Sequence, residues 1–184
     1  MEMDDEILLR YSRQIMLPQI DMQGQEKLSA AKVLVIGVGG LGSPLVLYLA
    51  ASGVGTLWLS DPDHVDLTNL QRQIAHTTTE IGLSKVLSAQ RQIKALNPHV
   101  TVKPLDYSLE GSALQEAVKA VDVVVDATDN LESRLRINDA CVQNKTPLVS
   151  AAAIRWEGQL TTFDTRQAES PCYQCLYGHL AEVG

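Results

Sequence analysis

The sequence VLVIGVGGLGS, residues 33–43, decides the fold of this chain. Its aliphatic run at 33–36 is typical of a buried β-strand. The run leads directly into a series of glycines: Gly37, Gly39, Gly40 and Gly42. The spacing Gly-x-Gly-x-x-Gly predicts a tight turn from the strand into a helix, where the backbone can approach a phosphate closely. The motif alone fits the phosphates of a redox dinucleotide, those of ATP, or a glycine-rich turn without a ligand.

Strands and helices alternate on both sides of this motif, over a chain of 184 residues. Hydrophobic patterning predicts helices at 4–16, 41–52, 84–96, 112–120 and 131–144. It predicts strands at 32–36, 55–60, 100–105, 121–126, 147–152 and 159–163, and a long polar stretch without a core pattern at 61–82. This alternation predicts an α/β fold with a doubly wound, mainly parallel sheet and a Rossmann-like glycine loop. We expect one domain over 1–184, with an N-terminal helical arm at 1–30 and a cysteine-containing tail at 170–184.

Composition argues against two classes of partner. The net charge of −7 disfavours sequence-independent binding of nucleic acid, which depends on neutralising phosphates with Lys and Arg. No apolar run approaches the roughly 18 residues of a membrane span. The N-terminus is acidic where a signal peptide would be basic. We therefore expect a cytoplasmic protein with no nucleic-acid or membrane partner.

Three polar segments follow strands of the predicted sheet, at 37–42, 61–72 and 126–130. In doubly wound sheets the ligand binds beyond the carboxyl ends of the strands, so these segments should converge at one edge. Asp61 ends the second strand, 24 residues after Gly37, where an acidic side chain accepts hydrogen bonds from ribose hydroxyls in dinucleotide-binding proteins. These features taken alone favour an NAD-dependent enzyme.

The segment DPDHVDLTNLQRQIAH, residues 61–76, argues for a triphosphate instead. Arg72 lies in this segment and Lys85 begins the next predicted helix. Two cations at the edge of the glycine loop suit a triphosphate better than one pyrophosphate. A solvated loop arginine and a surface helix lysine are the alternatives. Asp126 and Asp129 follow another strand, and carboxylates beside phosphates favour Mg²⁺, although Asn130 is also a suitable helix cap.

Six motifs together resemble one protein family: RYSRQI (10–15), GVGGLGS (37–43), SDPDHVDLTNLQRQ (60–73), SK (84–85), DATDN (126–130) and CYQC (172–175). They occur in the order found in the MoeB/ThiF branch of the ubiquitin-activating-type adenylyltransferases, from about residue 8 to 178. The TNLQRQ block and D-x-T-D-N are much more specific than the glycine loop. The resemblance implies that the C-terminal glycine carboxylate of a ubiquitin-fold sulfur carrier attacks the α-phosphate of Mg·ATP, giving an acyl-adenylate and pyrophosphate.

The resemblance also implies roles for individual residues. Carried over by motif, the nucleotide site comprises Gly37, Gly39, Gly40, Gly42, Asp61, Thr68, Asn69, Leu70, Gln71, Arg72, Lys85, Asp129 and Asn130. Asp61 would hold the ribose, Asp129 would bind Mg²⁺, and Arg72 and Lys85 would act on the phosphates. The catalytic residues implied are Arg13, Arg72, Lys85 and Asp129. Arg13 would reach the nucleotide of a neighbouring subunit, which implies a homodimer. Without the resemblance, Arg13 is interpreted as a solvent-facing arginine.

The identity of the carrier is less well defined. AAIRWEGQ, residues 152–159, resembles the members that activate molybdopterin synthase, whose carrier ends in Gly-Gly, more than those that serve the thiamine thiazole. We expect the former carrier and keep the latter as an alternative. An NAD-dependent oxidoreductase and a non-catalytic binding module are more distant alternatives.

Cys172 and Cys175 have the C-x-x-C spacing of half a zinc knuckle. His179 is a candidate third ligand, and the redox interpretation is weaker because no thioredoxin-like pattern precedes the pair. In the family the other two ligands come from a second C-x-x-C, which this sequence does not contain. We therefore expect a half site for Zn²⁺ and hypothesise that the chain is a fragment. Cys141, on a predicted helix, should be a small buried residue.

Overall fold

A sheet forms the centre of the computed structural model, which describes residues 5–167 and 169–178. Within those residues its strands are β1 (Lys32–Ile36), β2 (Thr56–Ser60), β3 (Thr101–Leu105), β4 (Val123–Asp126), β5 (Leu148–Ile154) and β6 (Glu157–Phe163). Their order across the sheet is β3-β2-β1-β4-β5-β6. Strands β1 to β5 run parallel, and β6 pairs antiparallel with β5. The predicted doubly wound, mainly parallel sheet is confirmed.

Helices cover both faces of the sheet. The described helices are α1 (Asp5–Ile15), α2 (Asp21–Ala30), α3 (Gly42–Ala51), α4 (Lys85–Leu96), α5 (Gly111–Lys119), α6 (Leu131–Asn144) and α7 (Tyr173–Tyr177). Successive residues of β1 point to opposite faces, so Val33 and Val35 join the core under α3 and α4. Leu34 and Ile36 join the core under α5 and α6. Every residue of the aliphatic run is therefore buried, which explains its lack of polar alternation.

The strand order reverses between β1 and β4. The chain moves from β1 outward through β2 to β3, and then returns to the other side of β1 as β4. The connections leaving the carboxyl ends of β1 and β4 consequently diverge to opposite faces of the sheet and leave a crevice between them. The glycine loop, which we define as residues 37–42, and the segment 127–130 border this crevice.

The N-terminal region differs in detail from its prediction. Helix α1 ends at Ile15, and of the apolar residues expected to form its core face only Ile7 and Tyr11 are buried, whereas Met16 is 74% exposed. Helix α2, which buries only Gln25, lies within the helical arm expected at 1–30, but its bounds were not predicted. Tyr11 is fixed by Asn97, whose Nδ2 donates to the tyrosine Oη and to the carbonyl of Ala50, both at 2.7 Å.

The stretch at 61–82, expected to be polar and without a core pattern, contributes to the core. Two short 3₁₀ turns form at Leu67–Asn69 and Thr78–Glu80. Val65 and Ala75 are buried, Ala75 within the core cluster under α3 and α4, and Gln73, His76 and Glu80 are buried polar residues of the same stretch. His76 and Glu80 are hydrogen-bonded to backbone or to other side chains, which permits their burial. Gln73 donates through Nε2 to Asn69 Oδ1 at 3.2 Å, whereas its buried Oε1 has no partner among the described residues.

Candidate functional site

The glycine loop turns the chain sharply from β1 into α3. Gly37 has φ +93°, a conformation that L side chains rarely adopt, and its N–H donates to the carbonyl of Ser60 at 2.8 Å. A Cβ on Gly42 would lie 1.9 Å from the carbonyl oxygen of Gly37, so only glycine permits this approach. The turn brings Leu41, the N-cap of α3, to the lining of the crevice, and the N-terminal end of a helix favours anions.

Asp61 holds the glycine loop in place. Its Oδ2 accepts from the N–H of Val38 at 2.8 Å, and its Oδ1 accepts from the N–H of Asp63 at 2.9 Å. The side chain is buried but still lines the crevice. Each carboxylate oxygen can accept a second hydrogen bond, so the ribose role expected of Asp61 is compatible with its position and stays a prediction.

A cleft of about 680 Å³ occupies the crevice, within the usual range for ligand sites. Many of the residues expected from the sequence line it: Gly37, Gly39, Gly40, Asp61, Asn69, Arg72, Lys85, Asp129 and Asn130. Gly42 packs closely against the carbonyl group of Gly37 and does not line the cleft. Thr68, Leu70 and Gln71 are not among the lining residues either. Arg13 is exposed on α1 and does not line the cleft either. The nucleotide roles assigned to these residues stay predictions.

The two expected cations lie on one side of the cleft. Arg72 is exposed, donates through Nη2 to Asn69 Oδ1 at 2.9 Å, and would be the nearest side chain to a Cβ on Gly40, at 3.5 Å. Lys85 is only 5% exposed, and its Nζ lies 2.8 Å from Asp63 Oδ2. The interpretation of Lys85 as an ordinary surface lysine is therefore wrong. A buried ammonium beside an open cleft is well placed to neutralise an anionic ligand.

The two expected carboxylates have different environments. Asp126 is fully buried and accepts from the N–H and Oγ1 of Thr128, at 3.0 and 2.7 Å, and from Ser150 Oγ at 3.0 Å. Burial raises the pKa of Asp126, and these hydrogen bonds offset part of the rise. Asp126 thus shapes the segment 127–130 from beneath. Asp129 is exposed on the cleft wall, and Asn130 caps α6 by accepting from Ser133 N at 2.9 Å.

Sequence patterns did not point to several other residues of the cleft. Ser108 and Glu110 line it after β3, and Arg134 and Arg136 line it from α6. Arg134 is buried and donates through Nη2 to the carbonyl of Thr128 at 2.6 Å, so it braces the segment that carries the exposed aspartate. The rule that ligands bind beyond strand ends would have included Ser108 and Glu110, whereas no signal in the sequence distinguishes the arginines.

The cysteine pair lies beside Asn138 of α6 and does not line the cleft. Cys172 Sγ is 3.4 Å from Cys175 Sγ and 3.6 Å from Asn138 Nδ2. Partial burial raises the pKa of Cys172, but hydrogen bonds from Cys175, Asn138 and the backbone of Gln174 outweigh it, and the net shift is downward. His179 lies outside the described residues. Among those described, no group of three or more His, Cys, Asp or Glu side chains is placed to hold a metal ion. Cys141 is buried as expected.

No helix within residues 5–167 and 169–178 combines the length and apolar character needed to cross a membrane.

Fold and cleft together define a doubly wound α/β protein with a phosphate-type glycine loop at its topological switch point. The model of the ThiF family matches residues 11–182, and the chain belongs to that family. The resemblance drawn from the six motifs is confirmed.

Relatives with assigned names are similar over almost the whole chain. It is 49% identical to the sulfur carrier protein ThiS adenylyltransferase of Escherichia coli K12, covering 95% of this chain and 69% of that protein. It is 46% identical to the molybdopterin-synthase adenylyltransferase of Salmonella typhimurium, over 95% of this chain and 70% of that protein. The adenylyltransferase and sulfurtransferase MOCS3 of Xenopus laevis is 47% identical, with 92% of this chain and 37% of the relative covered. The chain thus spans between 37% and 70% of the length of these relatives.

Solved structures show the same architecture. The crystal structure of PaaA superposes with a TM-score of 0.79 at 30% identity, covering 88% of this chain and 52% of that one. The Escherichia coli tRNA N6-threonylcarbamoyladenosine dehydratase TcdA superposes with a TM-score of 0.76 at 27% identity, covering 82% of this chain and 62% of that one.

Proposed function

We propose that this chain adenylates the C-terminal glycine carboxylate of a small ubiquitin-fold sulfur carrier at the expense of ATP. One observation carries the proposal: a single cleft is lined by the glycine loop, by Arg72 and Lys85 from the chain that follows β2, and by Asp129 from the segment that follows β4, on the other side of β1. A triphosphate needs this distribution of positive charge, whereas one pyrophosphate is satisfied by the loop alone. The names of the relatives, all adenylyltransferases, support the same reaction.

The residues of the cleft act by positioning and charge. Backbone N–H groups of the loop and the side chains of Arg72 and Lys85 would hold the phosphates, while Asp61 would fix the ribose. A carboxylate oxygen of the carrier then attacks the α-phosphorus, the bond from the α-phosphorus to the bridging oxygen breaks, and pyrophosphate leaves with the electron pair. Charge increases on the leaving pyrophosphate, where the cations stabilise it most. No side chain needs to form a covalent intermediate.

Mg²⁺ fits the opposite wall. Asp129 is exposed, and among the described residues its carboxylate accepts one hydrogen bond, a long one from Asn130 Nδ2 at 3.4 Å. One carboxylate with phosphate oxygens and water is a usual Mg²⁺ environment, which also explains why no all-protein cluster is needed. When bound, the ion would neutralise phosphate charge. Asp126 is already engaged by three hydrogen bonds and is not a candidate ligand.

Two carriers are candidates. AAIRWEGQ at 152–159 supports the small subunit of molybdopterin synthase, and 46% identity to a molybdopterin-synthase adenylyltransferase agrees with it. The 49% identity to the ThiS adenylyltransferase favours the thiazole carrier as a second candidate. Since the two identities differ little, only a carrier-dependent assay separates the candidates.

The proposal extends to assembly, zinc and location. Arg13, exposed on α1, would reach the cleft of a second copy in a homodimer. Cys172 and Cys175 would supply two thiolates to Zn²⁺, and a tetrahedral structural site needs two further ligands from outside the described residues. We expect the protein to act in the cytoplasm, on a protein substrate and not on nucleic acid.

Exchange of radiolabelled pyrophosphate into ATP tests the proposal, with each carrier ending in Gly-Gly added separately. We expect exchange with one carrier and loss of it in Arg72→Ala and in Asp129→Ala. Arg166→Ala is the matched control, because Arg166 pairs with Asp164 away from the cleft. Exchange that persists in both cleft variants contradicts the site. Binding of Mg·ATP without exchange on any carrier supports the non-catalytic module instead.

A further inference from the structure

The peptide groups of Val38, inside the glycine loop, are held by two buried side chains. Asp61 Oδ2 accepts a hydrogen bond from the N–H of Val38. His76 contacts the carbonyl group of the same residue, with Nε2 3.1 Å from the carbonyl oxygen. His76 is 6% exposed and Val38 is fully buried. A carbonyl oxygen can only accept, so this contact is a hydrogen bond only when Nε2 carries a proton.

The other ring nitrogen of His76 begins a buried chain of contacts. His76 Nδ1 lies 2.8 Å from Ser88 Oγ on α4, and Ser88 Oγ lies 2.8 Å from Glu80 Oε2. Ser88 is fully buried and Glu80 is 8% exposed. The chain therefore connects the 3₁₀ turn at Thr78–Glu80 to the glycine loop through three consecutive contacts. We call Glu80, Ser88 and His76 the relay.

A count of protons constrains the relay. Its three contacts need three protons, one for each: from Nε2 to the Val38 carbonyl, between Nδ1 and Oγ, and between Oγ and Oε2. A neutral imidazole supplies one proton, the hydroxyl of Ser88 supplies one, and an ionised Glu80 supplies none. The ordinary neutral-histidine, ionised-glutamate state is one proton short. All three contacts coexist only when one additional proton is bound.

We propose that the relay of Glu80, Ser88 and His76 binds one additional proton, and that this proton closes a clamp on the carbonyl of Val38 that positions the glycine loop for nucleotide. The proton is carried either by an imidazolium facing a carboxylate or by a neutral imidazole facing a carboxylic acid. Both states satisfy all three contacts, so the additional proton is a property of the coupled pair His76 and Glu80 and not of one residue. The positioning role rests on the proposed function, whereas the proton itself does not.

The charges around the relay set when the proton is released. Burial lowers the pKa of His76, the hydrogen bond with Val38 opposes that shift, and Lys85 reinforces it. Asp61 and Glu80 act in the opposite direction, and the net shift of the His76 pKa is downward. Arg91 Nη1 lies 3.9 Å from Glu80 Oε1. Since the clamp is complete only in the protonated state, it is present at low pH and is lost as pH rises through the range in which the relay releases its proton to solvent.

Release of the proton leaves two protons for three contacts. One contact must then open. A hydrogen bond to a charged group is the stronger one, so Ser88 keeps donating to the ionised Glu80 and its oxygen accepts from His76 Nδ1. The neutral ring then has no proton on Nε2 and turns a lone pair towards the carbonyl of Val38. The loop loses a hydrogen bond next to the N–H of Gly39, which lines the cleft. One hydrogen bond corresponds to about a two- to twelvefold change in an equilibrium constant, and we expect a change of that size in the affinity for Mg·ATP.

Glu80→Gln is the decisive variant. Its amide N–H can donate to Ser88 Oγ, so the third proton becomes permanent and all three contacts form without titration. The second amide N–H can donate to Thr77 Oγ1, which lies 3.1 Å from Oε2 in the wild type. Glu116→Gln is the matched control, because it removes the same charge from an exposed site on α5 that does not line the cleft.

Two nitrogen-15 shifts in nucleotide-free protein test the relay between about pH 5 and pH 8. We expect His76 Nε2 to be protonated at low pH, and the ring and the Gly39 amide to titrate together in wild type and in Glu116→Gln. Neither signal should titrate in Glu80→Gln. An unprotonated Nε2 at every pH, or identical titrations in both variants, overturns the relay.

Calorimetry with Mg·ATP in buffers of different ionisation enthalpy tests the clamp. We expect wild type and Glu116→Gln to take up more protons on binding than Glu80→Gln. Their affinity should fall about two- to twelvefold relative to that of Glu80→Gln as the pH rises. Equal proton uptake in all three proteins overturns the clamp. If the shifts titrate as expected but none of the proteins binds Mg·ATP, the proton stands and the proposed function fails.

Discussion

Gly42→Ala separates the geometry of the glycine loop from ordinary helix propensity. Gly42 begins α3, and alanine is favoured over glycine in helices by up to about 1 kcal/mol, so propensity alone predicts a more stable protein. The structure predicts the opposite, because the new Cβ would lie 1.9 Å from the carbonyl oxygen of Gly37. Backbone atoms must move to relieve that contact, and we expect a loss of about 3 kcal/mol, the upper part of the range for overpacking.

Gly39→Ala provides the matched control in the same loop. A Cβ at this position would meet only Gln73 Nε2, at an ordinary 3.7 Å, so we expect the free energy of unfolding to change by less than about 0.5 kcal/mol. Urea unfolding followed by circular dichroism measures both variants. The loss expected for Gly42→Ala corresponds to a melting temperature roughly 6–12 °C lower. A Gly42→Ala protein as stable as the wild type would refute the tight turn.

Three other substitutions test the core and the cleft. Asp126→Asn keeps hydrogen-bonding atoms but removes the buried carboxyl, whose raised pKa makes the folded wild type lose stability as pH rises above the ordinary value of 3.8. The stability of the variant relative to the wild type should therefore increase between about pH 3 and pH 7. A constant difference in urea unfolding contradicts this expectation. Asn97→Ala removes both 2.7 Å hydrogen bonds and should cost about 1–3 kcal/mol, whereas Tyr11→Phe should cost less. Equal losses would show that the tyrosine contact dominates. Lys85→Met keeps the buried stem and leaves only the exposed Asp63 unpaired, so stability should change by less than about 1 kcal/mol. Its affinity for Mg·ATP should fall about tenfold or more, and an unchanged affinity refutes a phosphate role.

Strong local patterns allowed most of the sheet to be predicted from the sequence. The aliphatic run of β1 and the valines of β4 are buried on both faces, and such runs are unambiguous when glycines or polar tips end them. The order of the strands was not predicted. Adjacency of consecutive strands accounts for β1-β2-β3 and for β4-β5-β6, whereas the return from β3 to the other side of β1 is not a connection between neighbours. Helix α2 lies within the helical arm expected at 1–30, but its bounds could not be predicted because its ten residues, DMQGQEKLSA, bury only Gln25 and show no apolar face.

The cleft was predictable only in part, for physical reasons. Residues in loops at strand ends could be placed because parallel strands bring their carboxyl ends to one edge. The burial of Lys85 and of His76 could not, since both depend on partners distant in sequence: Asp63 for the lysine, and Val38 and Ser88 for the histidine. A polar segment is predicted to be solvent-exposed unless the hydrogen bonds that permit its burial are known.

Competition between Mg·ATP and NADH tests the central claim, that the cleft is built for a triphosphate. Calorimetric titration of the protein should show binding of Mg·ATP that NADH does not displace. Arg72→Ala should weaken this binding about tenfold or more, as expected for a hydrogen bond to a charged group, and Arg166→Ala should leave it unchanged. Tight binding of NADH that is unaffected by Mg·ATP would contradict the account and favour a dinucleotide in the same cleft.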